Sequence, residues 1–219
     1  RFMKNFIELF EKKSRHHKKL INFMYPELKK IKESNILEFG VSEKGMSTEL
    51  FLEYANNFNC KLFSIDIIDY SKKFNSSNWK FLHSRDDNFD DILGKIPKTF
   101  KLILLDTVHE ASHVRKIFYK YYDLLEINHC FFIDDISWLP YLKNSEKNNF
   151  YSEINNLETF QNLLEIYLAN RDNFDLEFNF EGTGICKIRK KNNNKLNELT
   201  KINLRNFSLK NLARRIIKR

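Results

Sequence analysis

Asn35-Ile36-Leu37-Glu38-Phe39-Gly40-Val41-Ser42-Glu43-Lys44-Gly45-Met46-Ser47-Thr48 runs from a short, mostly apolar block into two glycines and a pair of hydroxyls. A compact apolar run of this kind marks a strand buried on both faces, as in a parallel sheet. Glycines directly after it allow backbone angles and a close ligand approach that a side chain would block. The chain has only five glycines and two of them are Gly40 and Gly45, so both positions read as geometric requirements. The stretch is a strand entering a ligand-binding turn.

Further strand-like runs lie at 61–65, 79–83, 101–105 and 130–133, separated by helical patterns at 47–57, 87–96, 112–125 and 157–170. Strands alternating with helices imply βαβ units and a parallel sheet covered on both faces. Runs at 174–180 and 185–189 flank Glu181-Gly182-Thr183-Gly184, which reads as a closing antiparallel hairpin. The expected fold is α/β: a Rossmann-like, mostly parallel seven-stranded sheet with helices on both faces and a C-terminal antiparallel hairpin. Ahead of it, Phe6, Leu9, Phe10, Leu20, Phe23 and Met24 fall at helical spacing. The expected division is an N-terminal helical segment (1–34), the α/β domain (35–190), and a basic linker with an amphipathic C-terminal helix (191–219).

The net charge of +8 is unevenly spread. Residues 187–219 hold 12 Lys or Arg and one acid, Glu198, so the preceding 186 residues sum to −3. The basicity belongs to the tail, and the α/β portion needs no nucleic-acid partner. Cys60, Cys130 and Cys186 are odd in number and sit in or beside apolar runs, as small buried hydrophobes do, which points to a reducing, cytoplasmic setting. No apolar stretch reaches transmembrane length. Within the tail, Leu209, Leu212, Ala213 and Ile216 share one helical face behind Ser208 as a cap. A basic amphipathic helix suits peripheral contact with an anionic membrane, and it equally suits docking in a homo-oligomer.

In open α/β sheets ligands sit beyond the carboxyl ends of the strands. Those ends carry Glu38 and Gly40, then Asp66, then Ser84, Arg85 and Asp86, then Asp106, then Asp134 and Asp135. An acid after the second strand can accept the hydroxyls of a ribose, which assigns Asp66. The first turn lacks the dinucleotide fingerprint, because Ser42 stands where the second glycine belongs. Glu38 would repel a phosphate and welcome a sulfonium, which favours S-adenosylmethionine.

These residues resemble class I S-adenosylmethionine-dependent methyltransferases, through the acid-X-Gly-X-X-X-X-Gly turn of Glu38, Gly40 and Gly45, the acid Asp66 and the closing hairpin. The resemblance implies that Gly40 and its neighbours Ser42, Gly45 and Ser47 face the methionine moiety. It further implies that Asp66 holds the ribose and that Ser84, Arg85 or Asp86 lies near the adenine.

Asp106-Thr107-Val108-His109, with Asp134-Asp135 on the next strand, is a second constellation. Three carboxylates on adjacent strand ends make a hard oxygen site suited to Mg²⁺ or another divalent ion. A metal-bound sugar hydroxyl is acidified, and a neutral imidazole can then take its proton. The pattern is similar to that of metal-dependent sugar O-methyltransferases of the kind that modify macrolide sugars. That resemblance implies Asp106, Asp134 and Asp135 as metal ligands, Asp106 and His109 as the catalytic pair with His109 as base, and a sugar-containing molecule or glycan as acceptor. Those relatives often carry Glu before Asp where this chain has Asp134, and neighbouring strand residues point to opposite faces unless the strand ends between them. A metal-free methyltransferase and a nonenzymatic cofactor-binding protein are the competing readings. His109-Glu110-Ala111-Ser112-His113 also satisfies the zinc-protease pattern His-Glu-X-X-His. It follows a strand-like run too closely for its first His to stand on an established helix. His16 and His17, with Arg15, precede the domain, where the resemblance implies a segment covering the acceptor pocket and a solvated helical face is the alternative, while Trp138 suits stacking on a sugar ring and core packing equally.

Overall fold

The computed structural model describes residues 2–136, 150–202 and 209–217. Within them β1 (Asn35–Phe39), β2 (Lys61–Asp66), β3 (Trp79–His83), β4 (Phe100–Leu105), β5 (Leu125–Asp134), β6 (Phe174–Asn179) and β7 (Ile185–Lys190) form one sheet, ordered β3-β2-β1-β4-β5-β7-β6. The first five strands run parallel, and β7 pairs antiparallel with both β5 and β6. The order reverses at β1, with β2 and β3 on one side and β4 and β5 on the other. A crevice therefore opens beyond the carboxyl ends of β1 and β4, where ligands bind in sheets of this kind.

The two-residue period of the strands divides the core. Leu37, Phe39, Ile65, Ile103, Leu105, Phe131 and Ile133 pack with α5 (Phe89–Leu93), α6 (Ala111–Tyr121) and α7 (Phe150–Asn170). The alternating residues Ile36, Leu62, Leu102, Leu104, Cys130 and Phe132 pack on the other face with α4 (Met46–Phe58) and the N-terminal segment. Burying each such side chain stabilises the fold by roughly 1.5–3 kcal/mol, enough to hold both layers to the sheet. The three cysteines are buried and unpaired.

The N-terminal segment comprises α1 (Phe2–Lys12), α2 (Arg15–Lys19), a π-helical turn (Leu20–Met24) and α3 (Tyr25–Leu28). Ser14 caps α2 by accepting from the His17 amide. In the π turn the Tyr25 N–H reaches the Leu20 carbonyl, and Pro26, which has no N–H, follows at once. The missing donor is where the regular ladder gives way to the wider turn. Phe10, Leu20, Ile21, Met24 and Leu28 are buried against the sheet layer, so this segment shares its core with the α/β elements.

The element boundaries differ from the sequence pattern in four places, the first being α7, which begins at Phe150 rather than 157. β5 starts at Leu125 rather than 130, because residues 126–128 are partly or fully exposed, Ile127 is their single apolar side chain, and Asn128 has φ 68°. The helix expected over 87–96 is confined to α5, with Gly94 at its end and Pro97 beyond. α6 ends at Tyr121 and passes into a 3₁₀ turn, Tyr122–Leu124. The Asn-rich stretch expected as a linker is also corrected: residues 191–202 lie along the body. There the Lys191 N–H bonds the Asn173 carbonyl, the Asn197 N–H bonds Asn170 Oδ1, Tyr119 donates to the Asn197 carbonyl, and Leu196 and Leu199 pack on the core. Beyond it α8 (Leu209–Ile217) exposes Leu209, Ile216 and Ile217, while its expected cap Ser208 lies outside the described residues. Among the described residues no helix is long and apolar enough to cross a membrane.

Candidate functional site

The turn after β1 is built on close approach. Gly40 has φ +93°, and a Cβ there would stand 1.9 Å from the Asp106 carbonyl oxygen. Its N–H bonds the Ile65 carbonyl while the Asp106 N–H bonds the Phe39 carbonyl, so three strand ends meet at this glycine. Gly45, at φ +60°, opens α4, and a Cβ there would meet Lys73 and Phe74 at 2.8 Å. Ser42 takes φ 58°, uncommon for a residue with a side chain. Asp66 ties the turn down: Oδ2 accepts from the Val41 and Ser42 amides at 2.8 and 3.2 Å, and Oδ1 from the Ile68 amide at 2.9 Å. A carboxylate has about four acceptor sites, so roughly one remains for a ligand hydroxyl.

A cavity of about 350 Å³ joins Gly40, Ser42, Asp66, Ser84, Arg85, Asp86 and Asp106, with Ile67, Ile68 and Val108 supplying exposed apolar surface. Its size and mixed lining fit a nucleoside-containing ligand, with a carboxylate for ribose and aliphatic side chains for the base. Arg85 is paired with Asp87 at 3.0 Å. Asp86 is buried and its carboxylate is engaged, accepting from Thr107 Oγ1 at 2.5 Å and facing His113 Nε2 at 2.9 Å. Asp86 therefore braces the loop after β4 against α6.

Glu38 requires a correction. The two-residue period that buries Ile36 turns Glu38 to the same face, beneath the start of α4. It is fully buried, and its carboxylate accepts from Ser47 Oγ (2.6 Å), Thr48 Oγ1 (2.9 Å) and Ser64 Oγ (2.7 Å). Burial pushes its pKa up to about 7, with the three hydroxyls opposing that shift. Glu38 and Ser47 thus anchor the turn from beneath, and Glu38 is not among the residues lining the cavity.

Beyond β4 and β5 lies the acidic edge. His109 Nε2 is 3.3 Å from Asp135 Oδ2 and 3.9 Å from Asp106 Oδ1. The Asp106 side chain keeps 36% exposure toward the cavities, yet enclosure by protein, then the charges of Asp134 and Asp135, raise its pKa well above the carboxylate range. β5 ends at Asp134, and Asp135 turns to φ 56°, so the adjacent acids take different partners. Asp135 meets His109. Asp134 pairs with the Lys19 ammonium, whose other donors go to Thr183 Oγ1 (3.1 Å) and the Gly184 carbonyl (3.3 Å).

This pairing corrects the expected metal site. Asp134 is already taken, because an internal ammonium with three protein acceptors lies against it. Among the described residues no group of three or more His, Cys, Asp or Glu side chains could hold a metal ion. The residues present do not fit a divalent cation at this edge. The zinc-protease pattern dissolves as well: His109 precedes the helix, Glu110 is its N-cap, and the two imidazoles face Asp135 and Asp86 separately. Trp138 lies outside the described residues.

A smaller cavity of about 30 Å³ adjoins the first, sharing Ser42 and Asp106 with it and adding His16, Lys19, Met46, Ser47 and Asp134. The N-terminal segment thus contributes His16 and Lys19 to this smaller cavity. Lys19 was not legible in the sequence, where it is one Lys among 37 Lys and Arg without a motif around it.

No family model matches the chain, and no curated protein matches it in sequence. Solved structures do match in fold. SAH-bound PaMTH1, a methyltransferase of Podospora anserina, is similar with a TM-score of 0.58 and 16% identity, over 87% of this chain and 88% of its own. The MycE methyltransferase of the mycinamycin biosynthetic pathway, in complex with Mg and SAH, is similar with a TM-score of 0.56 and 17% identity over 74% of this chain. The match spans 46% of MycE, about half its length. A Staphylococcus aureus protein provisionally described as a caffeoyl-CoA O-methyltransferase is similar at 0.56 and 15% identity, over 86% of this chain and 98% of its own. The chain shares its fold with these methyltransferases.

Proposed function

We propose that this chain is an S-adenosylmethionine-dependent O-methyltransferase acting on a hydroxyl of a sugar-containing acceptor, whether glycan, glycolipid or natural-product sugar. The observation that carries this reading is the cavity joining Gly40, Asp66 and Asp106, whose Asp106 carboxylate stands 3.9 Å from His109 Nε2. Support comes from the fold shared with the SAH-bound PaMTH1 and with MycE, which has been described in complex with Mg, SAH and mycinamycin VI.

When bound, S-adenosylmethionine supplies an electrophilic methyl group on sulfonium. Asp66 and the apolar residues Ile67, Ile68 and Val108 hold the nucleoside end, and the turn at Gly40 lets the backbone approach the other. His109 would be the general base: its imidazole, held by Asp135 at 3.3 Å, would take the proton of the acceptor hydroxyl that receives the methyl group. Asp106, between the two cavities, stands beside the reacting centre. No step is assigned to a divalent ion.

The test is calorimetric titration of S-adenosylhomocysteine into the full chain. The wild type binds it, and Asp66→Ala weakens binding at least about tenfold, a change of roughly 1.4 kcal/mol. Failure of the wild type to bind removes the proposed activity. The tail extends the proposal: the exposed Leu209, Ile216 and Ile217 of α8, in a segment of strongly positive charge, suit attachment to an anionic membrane that carries a lipid-linked acceptor. Sedimentation with anionic but not neutral vesicles is the expected result, and equal behaviour with both eliminates the electrostatic attachment.

A further inference from the structure

Lys19 is the last residue of α2, immediately before the π turn, and its side chain is 1% exposed. A buried ammonium is tolerated only when its charge is paired and its donors are used. Here all three N–H groups have acceptors: the Asp134 carboxylate, Thr183 Oγ1 at 3.1 Å and the Gly184 carbonyl at 3.3 Å. These partners come from the end of β5 and from the hairpin turn between β6 and β7, so Lys19 clips the N-terminal segment to the carboxyl edge of the sheet. It also lines the smaller cavity together with Asp106, and its charge acts on that carboxyl.

We propose that the Lys19 ammonium is the resident cation on the acceptor side of this site, paired with Asp134 and sharing the smaller cavity with Asp106 where a divalent metal would otherwise bind, so that the chain works without one. The inference rests on the methyltransferase reading only for its consequence in turnover. The claim about the cation concerns the carboxylates alone. Lys19 is a positioning residue in this scheme: it holds Asp134 and sets the field at Asp106 without touching the methyl donor. The placement also explains why three acids can crowd one edge, since one fixed positive charge offsets part of their mutual repulsion.

The experiment is a Mn²⁺ titration of the full chain followed by electron paramagnetic resonance, in the wild type, Lys19→Ala and Lys19→Arg, without any methyl donor. The wild type is expected to show no stoichiometric site. Lys19→Ala is expected to gain one site, binding Mn²⁺ at least about tenfold more tightly than the wild type. Lys19→Arg, which keeps the charge, is expected to exclude the ion as the wild type does. A merely structural lysine would not produce a gain of metal reversed by arginine. Stoichiometric Mn²⁺ binding by the wild type overturns the proposal, as does a folded Lys19→Ala protein that gains nothing. The wild-type result stands even if Lys19→Ala fails to fold. S-adenosylhomocysteine titrated in parallel separates the two questions: its failure to bind defeats the methyltransferase reading and leaves the metal result intact.

Discussion

One helical segment, residues 15–28, touches two charge clusters of opposite character. Near its start, Lys19 meets Asp134 beside Asp106, Asp135 and His109, so three carboxylates face one ammonium and one imidazole. Near its end, Glu27 meets Arg189 at 2.5 Å, Lys30 at 2.8 Å and Lys187 at 3.5 Å, and Lys187 also reaches Glu177 at 2.8 Å. Burial by itself would raise the Glu27 pKa, but the Arg189 and Lys30 hydrogen bonds hold it down at about 2. At the other cluster burial and neighbouring acids push Asp106 upward. The Glu27 cluster sets two carboxylates among three cations, so its acids are fully neutralised, and it fastens the N-terminal segment to β7. The acidic edge is under-neutralised, a condition that disfavours folding and that proteins keep where a ligand or a reaction uses it.

The sharpest way to break this contrast is His109→Ala. Methyl transfer should fall by roughly 10²- to 10⁴-fold, the usual contribution of a general base, while S-adenosylhomocysteine affinity and the urea unfolding midpoint stay unchanged. A variant that unfolds more easily yet retains turnover would place His109 among the structural residues and erase the difference between the clusters.

Glu27→Ala tests the other side. Removing one partner of a buried ion pair costs about 3–5 kcal/mol, here because Arg189 loses its carboxylate while Lys187 keeps only Glu177 among the described residues. Equilibrium urea unfolding should show that loss, with ligand affinity preserved. Little loss of stability together with weakened ligand binding would reverse the assignment.

Glu38 sharpens the comparison, since it is a buried carboxyl with hydroxyl partners and no cation. Its folded pKa of about 7 lies above the ordinary 4.5. Between those values the folded chain holds a proton that the unfolded chain has released, so stability declines as pH rises through that window. The decline from this group is on the order of 3 kcal/mol and is complete above pH 7. Denaturation curves at pH 5 and 8 should show a smaller difference in Glu38→Gln than in the wild type, and an unaltered difference would mean that Glu38 is ionised throughout.

The architecture was legible because its signals are local and repeated. Apolar runs such as 36–39 and 102–105 announce buried strands, and helical spacing between them leaves parallel pairing as the natural solution. The glycine turn and Asp66 were legible for the same reason, since a motif directly after a strand inherits the strand's position. β5 reads short in the sequence because residues 126–129, between buried Leu125 and Cys130, are partly or fully exposed and break the apolar run. At the site, residue type was a poorer guide. Glu38 and Asp86 are acids at the right strand ends, but one is sealed beneath α4 and the other braces Thr107 and His113.

By itself the sequence determined the strand and helix order, the turn after β1 and the set of acids at the carboxyl edge, because periodicity and chain direction place side chains on faces and at ends. Only the tertiary structure decided which cation each acid meets. Lys19 and Asp134 are separated by 115 positions, and their pairing depends on how the N-terminal helices pack across the sheet. Electrostatic partners of that kind are set by distance in space, which no local pattern in the chain records.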